Sequence, residues 1–249
     1  MNRIYEDTRI QPILQEPWVK LANGSDLENW SRQDEIAYNQ ANRQCQKLAF
    51  FMQAFDFLTD NKIEGDYHEY GCHRVRTFRM ALTEARRHNL ESMNFLAFDS
   101  FEGLPEVESQ PSNQVWQQGA LKTAEAEFWH LIKEHDIYVD RCQTIKGFYK
   151  DSLTQELQES FLSHSHKIAL ACIDCDLYES AVPVFQFIEP FLQEGSLLYI
   201  DDLFTGYKGS PAKGVAKAFT EFQKKSRFSF APHIQVGWWG RSFIAYLED

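Results

Sequence analysis

The stretch KIALACIDCDLYES (167–180) carries an almost unbroken apolar run, Ile168 to Ile173, that ends abruptly in acid. A run of that length without polar alternation reads as a β-strand buried on both faces, as in the middle of a parallel sheet. The next segment, ESAVPVFQFIEPFLQ (179–193), places Ala181, Phe185, Ile188 and Leu192 on one helical stripe, with Pro183 suited to the first turn. Glu194-Gly195 closes that helix, and SLLYIDD (196–202) repeats the buried-strand pattern with acids at its end. Strand, helix and strand joined by short turns predict a right-handed parallel crossover.

The same alternation extends outward in both directions. YHEY (67–70) and NFLAFD (94–99) read as strands flanking an amphipathic helix at 76–88, and RCQTIKG (141–147) as a strand after a helix near 122–135. SLTQELQESFL (152–162) and residues 213–225 read as helices, and 228–236 and 238–247 as two final strands. These two have no room between them for a crossover helix, so they are expected to form an antiparallel pair. AYNQANRQCQKLAFFMQAFDFL (37–58) is a long helical pattern, preceded by a polar, turn-rich segment anchored by Trp18 and Trp30. The expectation is an α/β, doubly wound, mostly parallel seven-stranded sheet with helices on both faces. Residues 1–65 are read as an N-terminal helical extension or lid, and 66–249 as the sheet domain.

Composition sets the outer bounds. Among 249 residues, 25 Lys+Arg stand against 36 Asp+Glu, a formal net charge of −11. That balance argues against nucleic acid and anionic membrane surfaces, both of which select basic proteins. A hydrophobic content of 43% excludes a wholly disordered chain. The opening MNRIYEDTRI does not read as a signal peptide, and no apolar run approaches the ~18 residues of a membrane span. Five cysteines without a compact framework suit a reducing compartment, so a cytoplasmic location is expected. Cys172 and Cys175 form C-x-x-C, but on a strand such residues face opposite ways, so they read as small buried residues before a redox pair.

In doubly wound sheets, ligands gather outside the carboxyl ends of the strands. Asp174 and Asp176 follow one strand, and Asp201 and Asp202 follow the next, 27 and 28 residues after Asp174. Four carboxylates converging there would repel unless a cation were present. Oxygen-only ligands favour Mg²⁺, with Mn²⁺ or Ca²⁺ as alternatives. Helix capping explains one acid per strand end but not two. Asp99 ends another strand, where an acid commonly accepts hydrogen bonds from a ribose diol; a turn or capping role is its plainer alternative. Gly71 allows a tight turn close to a ligand.

The segments E-x-G-x-x-R (69–74), FDSFEGLP (98–105), IDCDLYES (173–180) and YIDD (199–202) resemble the macrocin-type sugar O-methyltransferases, over about residues 66–225. The resemblance implies a Rossmann-like class I methyltransferase fold whose last strand is antiparallel. It also implies S-adenosylmethionine and Mg²⁺ (or Mn²⁺) as cofactors, and a small hydroxylated acceptor such as a sugar or glycoside as partner. Carried onto this chain, it implies a metal held by Asp174, Asp201 and Asp202, and Asp176 as the general base. It places Glu69, Gly71, Asp99, Ser100, Phe101, Gly147 and Phe148 at the S-adenosylmethionine site, with Lys146 beginning the segment beside the adenine. The acidic site also suits a cationic cofactor. Covers over the site are expected in the N-terminal region and in the 101–118 loop with Trp116.

One departure stands out. After the Arg, the family usually continues with glycines, where this chain has Val75-Arg76. A β-branched residue does not take φ > 0 cheaply and is expected to fill space near the methionine tail, so either the loop turns differently or cofactor affinity falls. Arg76 reads as a solvated helix residue before a carboxylate holder. His73 and His233 read as structural or exposed before substrate-side bases. Trp238-Trp239 reads as packing before a sugar platform. Ala49-Phe50-Phe51-Met52 reads as core or as contact with a second copy of the chain in a homo-oligomer. Two alternatives stay open: a D-x-D metal-dependent nucleotide-sugar glycosyltransferase, which Asp174-Cys175-Asp176 would also suit, and a non-catalytic S-adenosylmethionine-binding homologue.

Overall fold

A computed structural model describes residues 31–106 and 116–248. Trp18, Trp30 and residues 107–115 of the 101–118 loop lie outside the described residues. Seven strands form one sheet: β1 (Asp66–Tyr70), β2 (Phe95–Asp99), β3 (Cys142–Lys146), β4 (Ile168–Ile173), β5 (Leu197–Ile200), β6 (Ser229–Val236) and β7 (Gly240–Tyr246), in the order β3-β2-β1-β4-β5-β7-β6. β1 to β5 pair in parallel, while β7 runs antiparallel to both β5 and β6. The expected sheet and its antiparallel final pair are therefore present. The hairpin between β6 and β7 turns on Gly237, Trp238 and Trp239.

The helices are α1 (Arg32–Asp60), α2 (Arg76–Arg87), α3 (Glu125–His135), α4 (Tyr149–Ser152), α5 (Gln155–Ser163), α6 (Tyr178–Ile188) and α7 (Gly214–Gln223). α1 begins at a capping box, in which Ser31 and Asp34 satisfy each other's backbone amides. Its buried stripe of Phe50, Phe51, Ala54, Phe55 and Leu58 joins Tyr67, Phe78, Phe95 and Tyr199 in the core on one face of the sheet. The opposite face buries Tyr70, Phe98, Ile173 and Ile200 beneath α6 and α7. Of the Ala49–Met52 segment, Phe50 and Phe51 are thus core, whereas Met52 is exposed.

Pro183 is not in the first turn of its helix. α6 starts at Tyr178, so Pro183 falls in the second turn and removes one internal hydrogen bond. The buried Ala181, Val184, Phe185 and Ile188 keep the helix in place regardless, and Leu192 follows a short 3₁₀ turn beyond its end. Cys172 and Cys175 are both buried and free, in keeping with a packing role.

Register is what assembles the site. Tyr70 pairs with Phe98 and Ile173, and Ile173 pairs with Ile200, so the residues that follow stand side by side at the sheet's carboxyl edge. The ladder runs one step further: the amides of Gly71, Asp174 and Asp201 donate to Phe98, Tyr70 and Ile173 at 2.9–3.0 Å. The edge therefore reads Asp99, Gly71, Asp174, Asp201, with the strand order reversing direction between β1 and β4. Gly71 has φ +96°, and a Cβ there would lie 1.9 Å from the carbonyl oxygen of Asp174. Gly71→Ala is expected to cost about 3 kcal/mol or more, because backbone of a neighbouring strand would have to move. A lower urea midpoint at unchanged slope would record that loss.

Candidate active site

Beyond the strand ends lies a cavity of about 590 Å³, within the range of small-molecule sites. Its walls include Gly71, Asp99, Ser100, Gly147, Phe148, Asp174, Asp176, Asp201 and Asp202, so nine of the residues expected from sequence converge there. Glu69 and Phe101 are the exceptions. Phe101 points into the core against Phe128 and offers only its amide, which donates to Asp99 Oδ1 at 2.6 Å. Glu69 is fully buried behind the wall, accepting hydrogen bonds from the Tyr67 hydroxyl and, at 2.8 Å, from the Thr77 hydroxyl.

Asp99 is clamped from both sides, since its Oδ2 also accepts the Cys72 amide at 2.7 Å. Burial raises its pKa, and these two amides pull it back. The turn after β1 keeps a left-handed course despite its valine. Arg74 and Val75 have φ 58° and 55°, and Val75 is completely buried in the core, away from the cavity wall. The loop thus turns as glycines would allow, and Val75 does not line the cavity. The strain of a β-branched residue in that region, about 1–3 kcal/mol, is offset by burying an isopropyl group. Arg76, read from sequence as solvated, instead lines the cavity, as does His73, whose Nδ1 lies 3.2 Å from the Thr123 hydroxyl. His233 packs against Phe57 and Ser242, away from the cavity.

The acids form one connected cluster. Asp174, Asp201 and Asp202 each bring an oxygen within 4.8 Å of the others. Asp201 is anchored hardest: its Oδ1 accepts the Trp239 indole N–H at 3.0 Å together with the Tyr199 hydroxyl. Trp239 is therefore core packing with a polar task, while Trp238 is exposed. Asp176 hydrogen-bonds Asp202 and takes a further bond from the Trp116 side chain. Trp116 fits because Gly206 leaves room; a Cβ there would come within 2.7 Å of its ring.

Sequence reasoning missed Lys47. Its Nζ lies 3.0 Å from Asp174 Oδ2 and 3.0 Å from Asp201 Oδ2, with the side chain only 8% exposed. Burial alone would lower its pKa, but Asp174 and Asp201 outweigh that and hold it above the ordinary range. The signal was present, for Lys47 stands three, four and seven residues before Phe50, Phe51 and Ala54, on the buried stripe of α1. Gln40, Arg43 and Gln44 share the cavity-facing side of the same helix. Arg43 also lies 4.5 Å over the Trp239 ring.

Burial and mutual repulsion raise the other acids, Asp174 to about 6 and Asp176 to about 7. Asp202 is pushed well above the carboxylate range by burial and then by Asp176 and Asp201. Asp201 is the exception: burial pushes it up, yet Lys47 and the Tyr199 hydroxyl bring it below its usual value. Oxygen donors this close, buried and short of positive charge suit a hard divalent cation. The pocket beside them, with Asp99 on its wall, suits a nucleoside-bearing cofactor.

This chain matches the macrocin O-methyltransferase (TylF) family model over residues 23–244. It therefore belongs to the macrocin O-methyltransferase family. No curated protein matches it. Among solved structures, it is similar to the O-methyltransferase NovP (19% identity, TM-score 0.64, 80% of this chain and 79% of the other). It is also similar to the calicheamicin methyltransferase CalS11 (17%, 0.64, 98% and 94%) and to a Podospora anserina methyltransferase, PaMTH1, in its SAH-bound form (12%, 0.51, 96% and 88%). At these identities the likeness is one of fold. Among the described residues, no helix is long and apolar enough to cross a membrane.

Glu69 offers a test of the cluster's electrostatics. Burial raises it to about 8, above its ordinary 4.5, so folding takes up a proton and stability falls as pH rises between those values. Glu69→Gln, which stays neutral, is expected to melt several degrees above wild type at pH 8. The advantage should vanish near pH 5 when both are scanned with a chelator present.

Proposed function

We propose that the protein transfers a methyl group from S-adenosylmethionine to a hydroxyl of a sugar or similar vicinal diol, with a divalent cation held by Asp174, Asp201 and Asp202. The observation that carries the reading is the convergence of those three acids, Asp176 and Asp99 on one cavity wall. When bound, the cofactor supplies the methyl group and the cation lowers the pKa of the acceptor hydroxyl.

The chain's own groups do the rest. Asp99, fixed by the Cys72 and Phe101 amides, keeps lone pairs free for a ribose diol. Gly147 and Phe148 wall the side assigned to the adenine. Asp176 accepts the proton that the acceptor hydroxyl loses, and burial together with Asp174 raises its affinity for that proton. The Trp116 side chain holds its carboxylate in place. α1 covers the acids with Gln40, Arg43, Gln44 and Lys47, which limits competition from water. Holding oxygen, methyl and sulfur in line is a matter of positioning, and a rigid sheet edge provides it.

S-adenosylmethionine with Mg²⁺ is expected to raise the melting temperature. A shift with a uridine diphosphate sugar and Mg²⁺ instead would favour a glycosyltransferase, and no shift with either would favour a non-catalytic homologue. Asp176→Asn is expected to keep cofactor binding by calorimetry while turnover on a panel of free, glycosidic and nucleotide-linked sugars drops about 10²–10⁴-fold. Unimpaired turnover would remove Asp176 from the base role. Asp99→Ala should do the reverse, weakening cofactor binding while leaving the cluster's metal affinity unchanged.

A further inference from the structure

Among the described residues, Lys47 is the one buried cation paired with the acids, and the reaction outlined above gives it no part beyond cover. Its ammonium bridges Asp174 Oδ2 and Asp201 Oδ2, 3.0 Å from each. Both residues belong to the oxygen triad suited to a divalent cation.

Lone pairs decide whether the ammonium and a metal can share the pair. Asp201 Oδ1 already accepts two protein donors, the Tyr199 hydroxyl and the Trp239 indole. Its Oδ2 is the only oxygen left for a metal, and Lys47 holds it. A dication bonding through that oxygen would stand beside the ammonium, like charge against like charge in a buried site. The contact lengths also differ: an ammonium sits 3.0 Å from its two oxygens here, whereas Mg²⁺ draws oxygens to about 2.1 Å. A metal bridging the same two oxygens at that length would lie where the ammonium now sits.

We propose, building on the divalent-metal reading of the site, that Lys47 and the divalent cation are alternative occupants of the Asp174–Asp201 pair. The ammonium holds the pair in the metal-free protein, and metal binding turns it out. The helix need not move, because Phe50 packs against the Tyr199 ring at 4.6 Å and fixes α1 while the four-carbon stem of Lys47 swings. Lys47 is then a residue that sets metal affinity, keeping the cluster folded when no metal is present and weakening metal binding by competition.

The test is a Mn²⁺ titration of the full chain, followed by the electron paramagnetic resonance signal of free Mn²⁺, with no acceptor or cofactor present. Lys47→Met is expected to bind Mn²⁺ about tenfold or more tightly than wild type. Equal or weaker binding by the variant, with Mn²⁺ still bound by wild type, overturns the displacement and leaves the metal reading intact. Binding by neither protein refutes the metal reading itself and the displacement with it, while binding by the variant alone supports the displacement. Because removing the ammonium leaves two acids facing each other, wild type supplies an independent measurement: acylation of Lys47 by an amine-directed reagent, quantified by peptide mass spectrometry. Mn²⁺ should raise labelling at Lys47 several-fold, and unchanged or reduced labelling overturns the proposal.

Discussion

A single ammonium at the edge of the sheet, Lys47 between Asp174 and Asp201, is the interaction on which the acidic site depends. Desolvating such a group costs several kcal/mol unless it is paired, and removing one partner of a buried pair costs about 3–5 kcal/mol. The cost is met by hydrophobic docking nearby. Phe50, Phe51, Phe55 and Leu58 on the same helix are almost fully buried, at roughly 1.5–3 kcal/mol each. Apolar burial thus brings the ammonium to the acids, and the acids keep it charged.

The partners of that ammonium are placed with equal economy. Asp174 and Asp201 follow paired positions of β4 and β5, so their level is set by sheet register rather than by loop conformation. Tyr199, two residues before Asp201 and on the same face, supplies a hydroxyl, and Trp239 reaches in from the β6–β7 turn. Gly71 lets β1 come close enough to complete the edge. The site is rigid where it rests on strands; Trp116, by contrast, reaches Asp176 from a loop.

The strands and the acids ending them were legible because both signals are local: an apolar run, then carboxylates. Lys47 was obscured because its role depends on a contact 127 residues along the chain, even though a lysine on an otherwise apolar stripe marked it as unusual. Val75 defied the expectation from backbone propensity, because core packing holds it in a left-handed conformation that the residue type alone disfavours. Phe101 and Glu69 show how a motif can be placed correctly while its side chains are assigned the wrong side of the wall: one contributes an amide, the other a hydrogen bond beneath the surface. Pro183 lies a turn later than the stripe suggested, since a boundary between loop and helix leaves little trace in periodicity.

The cavity-facing side of α1 joins two tasks on one helix. Gln40, Arg43 and Gln44 form a polar part of the cavity wall, and Lys47, one turn on, balances the acids. A shift or rotation of this helix that reshapes the wall also drags the ammonium along the carboxylates. A substitution at Gln40, Arg43 or Gln44 therefore reshapes the wall without moving the ammonium, whereas re-docking the helix changes both. Chimaeras that exchange α1 whole should inherit the donor's charge balance along with its cavity wall.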